Sequence, residues 1–204
     1  MRVLRAGDAA LLVETEDLAT ALRLNAALRD EGLPGVVDVV PGERTVLVMA
    51  DTSADLDRLA ARLPQLRLPA DAADDADPVE VPVVYDGEDL DEVARLTGLS
   101  SDEVVRRHSA AFYTVAYLGF SPGFAYLTGL DPVLHVARRA SPRTSVPVGS
   151  VAIAGPYAAV YPSRSPGGWR LLGRTGLRLW DETRDPPSLL RPGTRVRFVP
   201  EERS

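Results

Sequence analysis

The chain is predicted to be an α+β protein: a ferredoxin-like α/β domain over residues 1–85, followed by a β-barrel domain over 86–204. Three observations lead there. The first 85 residues alternate helix and strand signals in the order β-α-β-β-α-β, a split-βαβ pattern. The stretch 112–175 instead holds short β-branched and aromatic runs separated by Pro/Gly turns, the signature of an all-β module. It carries five of the six tyrosines and three of the four phenylalanines. Finally, 204 residues with 45% hydrophobic and 25% charged content suit one or two globular domains with an ample core.

Taken in order, Arg2–Glu14 reads as a first strand with a turn or bulge at Gly7-Asp8. Asp17 can cap a helix from Leu18 to Asp30, whose apolar face is traced by Leu18, Leu22, Asn25, Ala26 and Leu28, and Gly32 ends it. Val36–Val40 and Arg44–Ala50 form strands about Pro41-Gly42, and Ser53 caps a second helix, Ala54–Leu63. Residues 64–78 are proline-bounded and rich in aspartate, a solvated loop. Val79–Tyr85 is then read as the closing strand of the first domain. Leu90–Thr97 and Asp102–Ala110 are short helices, the second opened by a capping box of Ser100 and Glu103. Beyond the central module, Leu177–Trp180 is a strand, Asp185-Pro186-Pro187 a turn, and Arg195–Val199 closes the barrel sheet.

Composition excludes several chemistries. There is no cysteine, so disulfides, thiolate metal sites and cysteine nucleophiles are out. All 23 basic residues are arginine; without lysine there is neither a Schiff base nor a Walker-type phosphate loop. A net charge of −6 and a pI near 5.0 argue against nucleic acid as a partner. No apolar run approaches the ~18 residues of a membrane span, and the first residues lack the apolar core of a signal peptide, so a cytoplasmic location is expected. Two distant histidines give no metal-ligand spacing, and no Gly-x-Ser-x-Gly elbow is present to activate a serine.

Arginine and aromatic side chains are the remaining candidates. Arg143 follows Ser141-Pro142, and Arg174 sits in Gly173-Arg174-Thr175; a guanidinium can grip a carboxylate or phosphate with two parallel hydrogen bonds. A salt bridge tying strands together is the competing role for each. Arg138, Arg139, Arg164 and Arg170 are expected to face solvent. Phe124 and Trp169 flank glycine-rich turns, where they either fill the core or wall a pocket and anchor a partner. Ser165-Pro166-Gly167-Gly168 offers consecutive backbone groups that could form an anion nest, incomplete because proline lacks a donor. His108, near a helix end, is either a dipole partner or a proton carrier.

Three blocks, GFSPGFAYL (Gly119–Leu127), PRTSVPVGSVAIAG (Pro142–Gly155) and YPSRSPGGWRLLGRT (Tyr161–Thr175), resemble the family of 5-oxoprolinase B subunits. It is also called allophanate hydrolase subunit 1 and includes KipI-type sensor-kinase inhibitors. Weaker similarity runs through VPVVYDGEDL and RPGTRVRFVP, with Val84 where the family often has cysteine and GEDL as a short form of its acidic turn. The resemblance implies the same small α/β domain, a cyclophilin-like barrel from about residue 86, and a histidine at the place of His108. It implies ATP-dependent opening of 5-oxoproline to L-glutamate in a hetero-oligomer with companion subunits A and C. Arg143 and Arg174 would then stabilise charge on phosphate and oxyanion, and His108 or Tyr113 would handle a proton. Phe120, Pro122, Gly123, Phe124, Pro147, Gly149, Ser150, Tyr161, Ser165, Pro166, Gly167, Gly168 and Trp169 would bind substrate, nucleotide or partner. The blocks equally suit a KipI-like inhibitor of a histidine kinase; a carboxyltransferase half-site of a urea carboxylase system fits less well, since nothing here resembles a biotin-attachment domain.

Overall fold

The computed structural model describes residues 1–70 and 77–201, and contacts divide the chain into two compact units, Met1–Ala73 and Asp74–Ser204. The aspartates at 71, 74 and 75, part of the expected solvated loop, lie outside the described residues.

In the first unit Gly7, at φ 71°, reverses the chain, so the expected single first strand becomes a hairpin of β1 (Arg2–Arg5) and β2 (Ala10–Glu14). Helix α1 (Leu18–Glu31) follows, then β3 (Val36–Pro41), β4 (Thr45–Ala50) and α2 (Leu56–Arg62), with the antiparallel sheet ordered β1-β2-β4-β3. Asp17 caps α1 by accepting the Thr20 N–H at 2.8 Å, and Gly32 ends it in the left-handed conformation. The buried face of α1 is Ala21, Leu24, Asn25, Ala27 and Leu28, rotated from the expected one. The cap of α2 is Asp55, which accepts the N–H groups of Asp57 and Arg58 at 3.0 Å. Ser53, expected there, instead donates to Asp51 in the preceding turn.

The second unit is built on a seven-stranded, nearly closed barrel sheet ordered β12-β9-β10-β7-β6-β13-β5. Its strands are β5 (Val79–Val83), β6 (Tyr113–Leu118), β7 (Ala125–Thr128), β9 (Ser150–Ala154), β10 (Tyr157–Val160), β12 (Arg170–Arg174) and β13 (Arg195–Pro200). Strands β8 (Arg143–Val146) and β11 (Ser165–Gly167) form a separate antiparallel pair, and α3 (Leu90–Thr97) and α4 (Ser101–Ala110) pack on the barrel core. Strand β5 corrects the sequence reading: instead of completing the small sheet of residues 1–85, it runs parallel to β13 with Val79, Val81 and Val83 opposite Val196, Phe198 and Pro200. Alternating valines suit either sheet; the partner is chosen by β13, whose Val196 and Phe198 are wholly buried. Just past β5, Val84 and Arg174 exchange backbone hydrogen bonds at 2.9 Å and join β5 to β12, which brings the sheet round on itself. The expected strand at Leu177–Trp180 is reduced to one bridge, Trp180 with Ser188. No described helix is long and apolar enough to cross a membrane.

Candidate functional site

The acidic turn Asp86-Gly87-Glu88-Asp89 is laid along β12. Gly87 N–H donates to Leu172 O and Asp89 N–H to Leu171 O, both at 3.0 Å, while Asp89 Oδ2 accepts the Leu171 N–H at 2.7 Å. Gly87 is required: a Cβ there would meet Leu171 O at 2.3 Å. Both predicted arginines are attached to this turn. Arg143, opening β8, donates from Nη2 to Asp89 Oδ1 at 2.8 Å, and from Nε and Nη2 to Glu88 Oε2 at 3.2 and 3.1 Å. Its Nη1 is buried and has no partner among the described residues. Arg174, at the end of β12 and 65% exposed, donates from Nε to Asp86 Oδ2 at 3.0 Å.

Two arginines expected in solvent join the same network. Arg139 Nη1 donates to Asp89 Oδ1 at 2.8 Å, and Arg170, largely buried, pairs with Glu92 of α3. Asp89 is the hub, with a side chain 2% exposed. Burial alone would raise its pKa, but the Arg143 hydrogen bond, the Leu171 N–H, the Arg143 charge and Arg139 together hold it below the ordinary carboxylate value.

The aromatic candidates separate into core and surface. Phe124, Tyr161 and Trp169 are buried together, with Phe124 edge-on to Tyr161 at 5.2 Å and to Trp169 at 5.6 Å. Packed on each other, they do not form the exposed rim considered for Phe124 and Trp169; the Arg138 guanidinium lies 5.7 Å from the Trp169 ring. Phe120 is different. It is 62% exposed at φ 67°, a conformation costing a non-glycine residue about 1–2 kcal/mol, and it leans edge-on against Phe124 at 5.3 Å. The neighbouring Pro122 is exposed, while Gly123 is buried at φ 76°, where a Cβ would meet that of Trp180 at 2.9 Å.

The other turns are structural in geometry. Ser150 Oγ donates to Pro147 O at 2.8 Å, and Gly149, at φ 80°, leaves room for Thr175 O. Ser165-Pro166-Gly167 is not a nest: these residues form β11, and successive N–H groups of an extended strand point to opposite sides. Gly167 lies opposite Arg143, and Gly168 O accepts the Arg139 N–H at 2.8 Å.

His108 and Tyr113, considered for proton transfer, are core groups. The His108 ring is fully buried, 4.5 Å from the Phe198 ring, with Nδ1 2.8 Å from the Tyr85 hydroxyl and Nε2 unpartnered among the described residues. Burial lowers its pKa to about 3, so it stays neutral. Tyr113, also buried, donates to His108 O at 2.9 Å, and burial pushes its hydroxyl upward. Neither side chain is in contact with Arg143 or Arg174; both are enclosed among core residues.

Residues 1–190 match the family model for the carboxyltransferase domain, subdomain C and D. The chain belongs to this family. Among its relatives, it is 44% identical to the 5-oxoprolinase B subunit of Escherichia coli O157:H7, across 96% of this chain and 94% of that protein. It is 41% identical to the 5-oxoprolinase B subunit of Haemophilus influenzae, across 81% and 80%. The crystal structure of TTHA0988 superposes with a TM-score of 0.83 at 38% identity, covering 96% of this chain but 40% of that longer one. Within this carboxyltransferase-type barrel, sequence reasoning overlooked Asp89 and Glu88. Their only local signal is the DGED run, and their arginine partners Arg139 and Arg143 lie 50 or more positions away.

Proposed function

We propose that this chain is the B subunit of an ATP-dependent 5-oxoprolinase, opening 5-oxoproline to L-glutamate with companion subunits A and C. The supporting observation is near-complete similarity to the 5-oxoprolinase B subunit of Escherichia coli O157:H7, 44% identical over 94% of its length. Similarity on that scale favours the enzyme over a kinase inhibitor or a urea carboxylase half-site. A lactam carbonyl is a poor electrophile; transferring a phosphoryl group to its oxygen activates it for water, and cationic donors then stabilise the developing charge. Arg143 is suited to that task, being fixed by Asp89 while its Nε and Nη2 pair otherwise with exposed Glu88, and exposed Arg174 is the second cation. With His108 and Tyr113 in the core, the proton-transfer groups are assigned to a companion subunit. ATP would supply the activating phosphate. This chain's contribution to holding it is guanidinium only, so most nucleotide contacts are assigned to the companions too.

Exposed Phe120, held at positive φ beside Phe124, is the residue we assign to contact with a companion. Phe120→Asn accepts the same backbone, so it is expected to change stability by no more than about 0.5 kcal/mol while weakening co-purification with the companions. Co-expression of this chain with the companion subunits should yield ATP-dependent glutamate release from 5-oxoproline, and this chain alone should yield none. An assembled but inactive set would overturn the proposal.

A further inference from the structure

We infer that the Nε–Nη2 edge of Arg143 is a binding site for a small oxyanion, a carboxylate or phosphate group, and that Glu88 occupies it as a displaceable latch. The two acids holding this guanidinium are unlike. Asp89 is almost wholly buried and has both oxygens engaged, one by Arg139 and Arg143 and the other by the Leu171 N–H. It is a fixed part of the wall. Glu88 is 75% exposed and takes both N–H groups of the edge on a single oxygen, at 3.1 and 3.2 Å. A fork-to-fork pair would give each N–H its own oxygen at about 2.7–2.9 Å, and an exposed, off-geometry pair is held weakly.

Charge points the same way. Arg139, Arg143 and Arg170, with exposed Arg95 also on Glu92, face only Glu88, Asp89 and Glu92, so the cluster is already short of negative charge with Glu88 in place. When Glu88 swings into solvent, the deficit of negative charge grows by one and the planar edge is uncovered. An incoming oxyanion replaces Glu88 charge for charge and adds the second oxygen that Glu88 does not supply. The inference deepens the proposed function and rests on its use of Arg143 as an anion-gripping residue. The two ligand sources it admits are the carboxylate of 5-oxoproline and a phosphate group.

Calorimetric titration of the full chain at low ionic strength, with inorganic phosphate and separately with 5-oxoproline, tests this. Glu88→Gln removes the competing charge at an exposed position and should tighten binding of one probe about two- to fivefold, the range expected for loss of an exposed ion pair. Tighter phosphate binding assigns the edge to a phosphoryl group; tighter 5-oxoproline binding assigns it to the substrate carboxylate. Arg143→Lys keeps the charge but not the fork, and should weaken that probe about tenfold. Glu88→Gln binding neither probe more tightly than wild type, or Arg143→Lys binding unchanged, overturns the inference. Because the titration needs no companion subunit, an inactive reconstituted enzyme would leave this result standing.

Discussion

Acidification from pH 6.5 towards pH 3 is expected to remove roughly 3–5 kcal/mol of the second unit's stability through His108 alone. The imidazole is buried against Phe198 and between the tyrosines of two neighbouring segments, Tyr85 and Tyr113. Its pKa, about 6.5 when unfolded, falls to about 3 in the folded chain because burial disfavours the cation. Between those values the unfolded chain binds a proton that the native chain does not. Stability therefore rises with pH across this window, is complete above pH 6.5, and is lost as pH falls. Carboxylates of the same unit with lowered pKa values, Glu103, Asp89, Asp131 and Asp181, add their own losses only as pH falls below the ordinary carboxylate range. Urea unfolding at pH 7, 6, 5 and 4 should show the slope, and His108→Asn, which cannot titrate but retains a partner for Tyr85, should flatten it between pH 6.5 and 4. An unchanged slope in that variant would place the acid-sensitive group elsewhere.

His108 also marks how far the sequence was legible. Its position near the end of a capped helix was readable, because the Ser100–Glu103 box and the apolar spacing of α4 are local signals. That the ring would turn inward onto Phe198 was not, since β13 comes some 90 residues later. The aromatic blocks were legible as strands because β-branched and aromatic runs bounded by Gly/Pro turns have few other uses. Which aromatics would be covered was not, since burial of Phe124 and Trp169 depends on strands meeting across the sheet. Strand β5 shows the same limit: alternation predicts that Val79–Val83 is a strand, while its neighbour is decided by a segment at the other end of the chain.

Asp89→Ala is expected to be the most damaging single change in the proposed site, costing about 3–5 kcal/mol, the usual penalty for removing one partner of a buried ion pair. The carboxylate satisfies the Leu171 N–H and two guanidiniums; without it the largely buried Arg143 keeps only exposed Glu88, and the partly exposed Arg139 only Glu92 at 3.8 Å. The acidic turn would retain its backbone hydrogen bonds to Leu171 and Leu172 along β12 and the exposed ion pairs of Glu88 with Arg143 and Asp86 with Arg174. Arg174→Ala removes a pair of similar length, Arg174 with Asp86 at 3.0 Å, yet that arginine is 65% exposed and the expected cost is below about 1 kcal/mol. The comparison separates burial from contact distance as the source of stability. Asp89→Asn lies between: its amide oxygen can still accept the Leu171 N–H, but it cannot neutralise Arg143, so anion binding at the Arg143 edge should change even where folding survives. Thermal unfolding of the three variants, each paired with the phosphate titration, decides the matter. Equal losses for Asp89→Ala and Arg174→Ala would mean that the network is a surface decoration rather than the frame that aims Arg143.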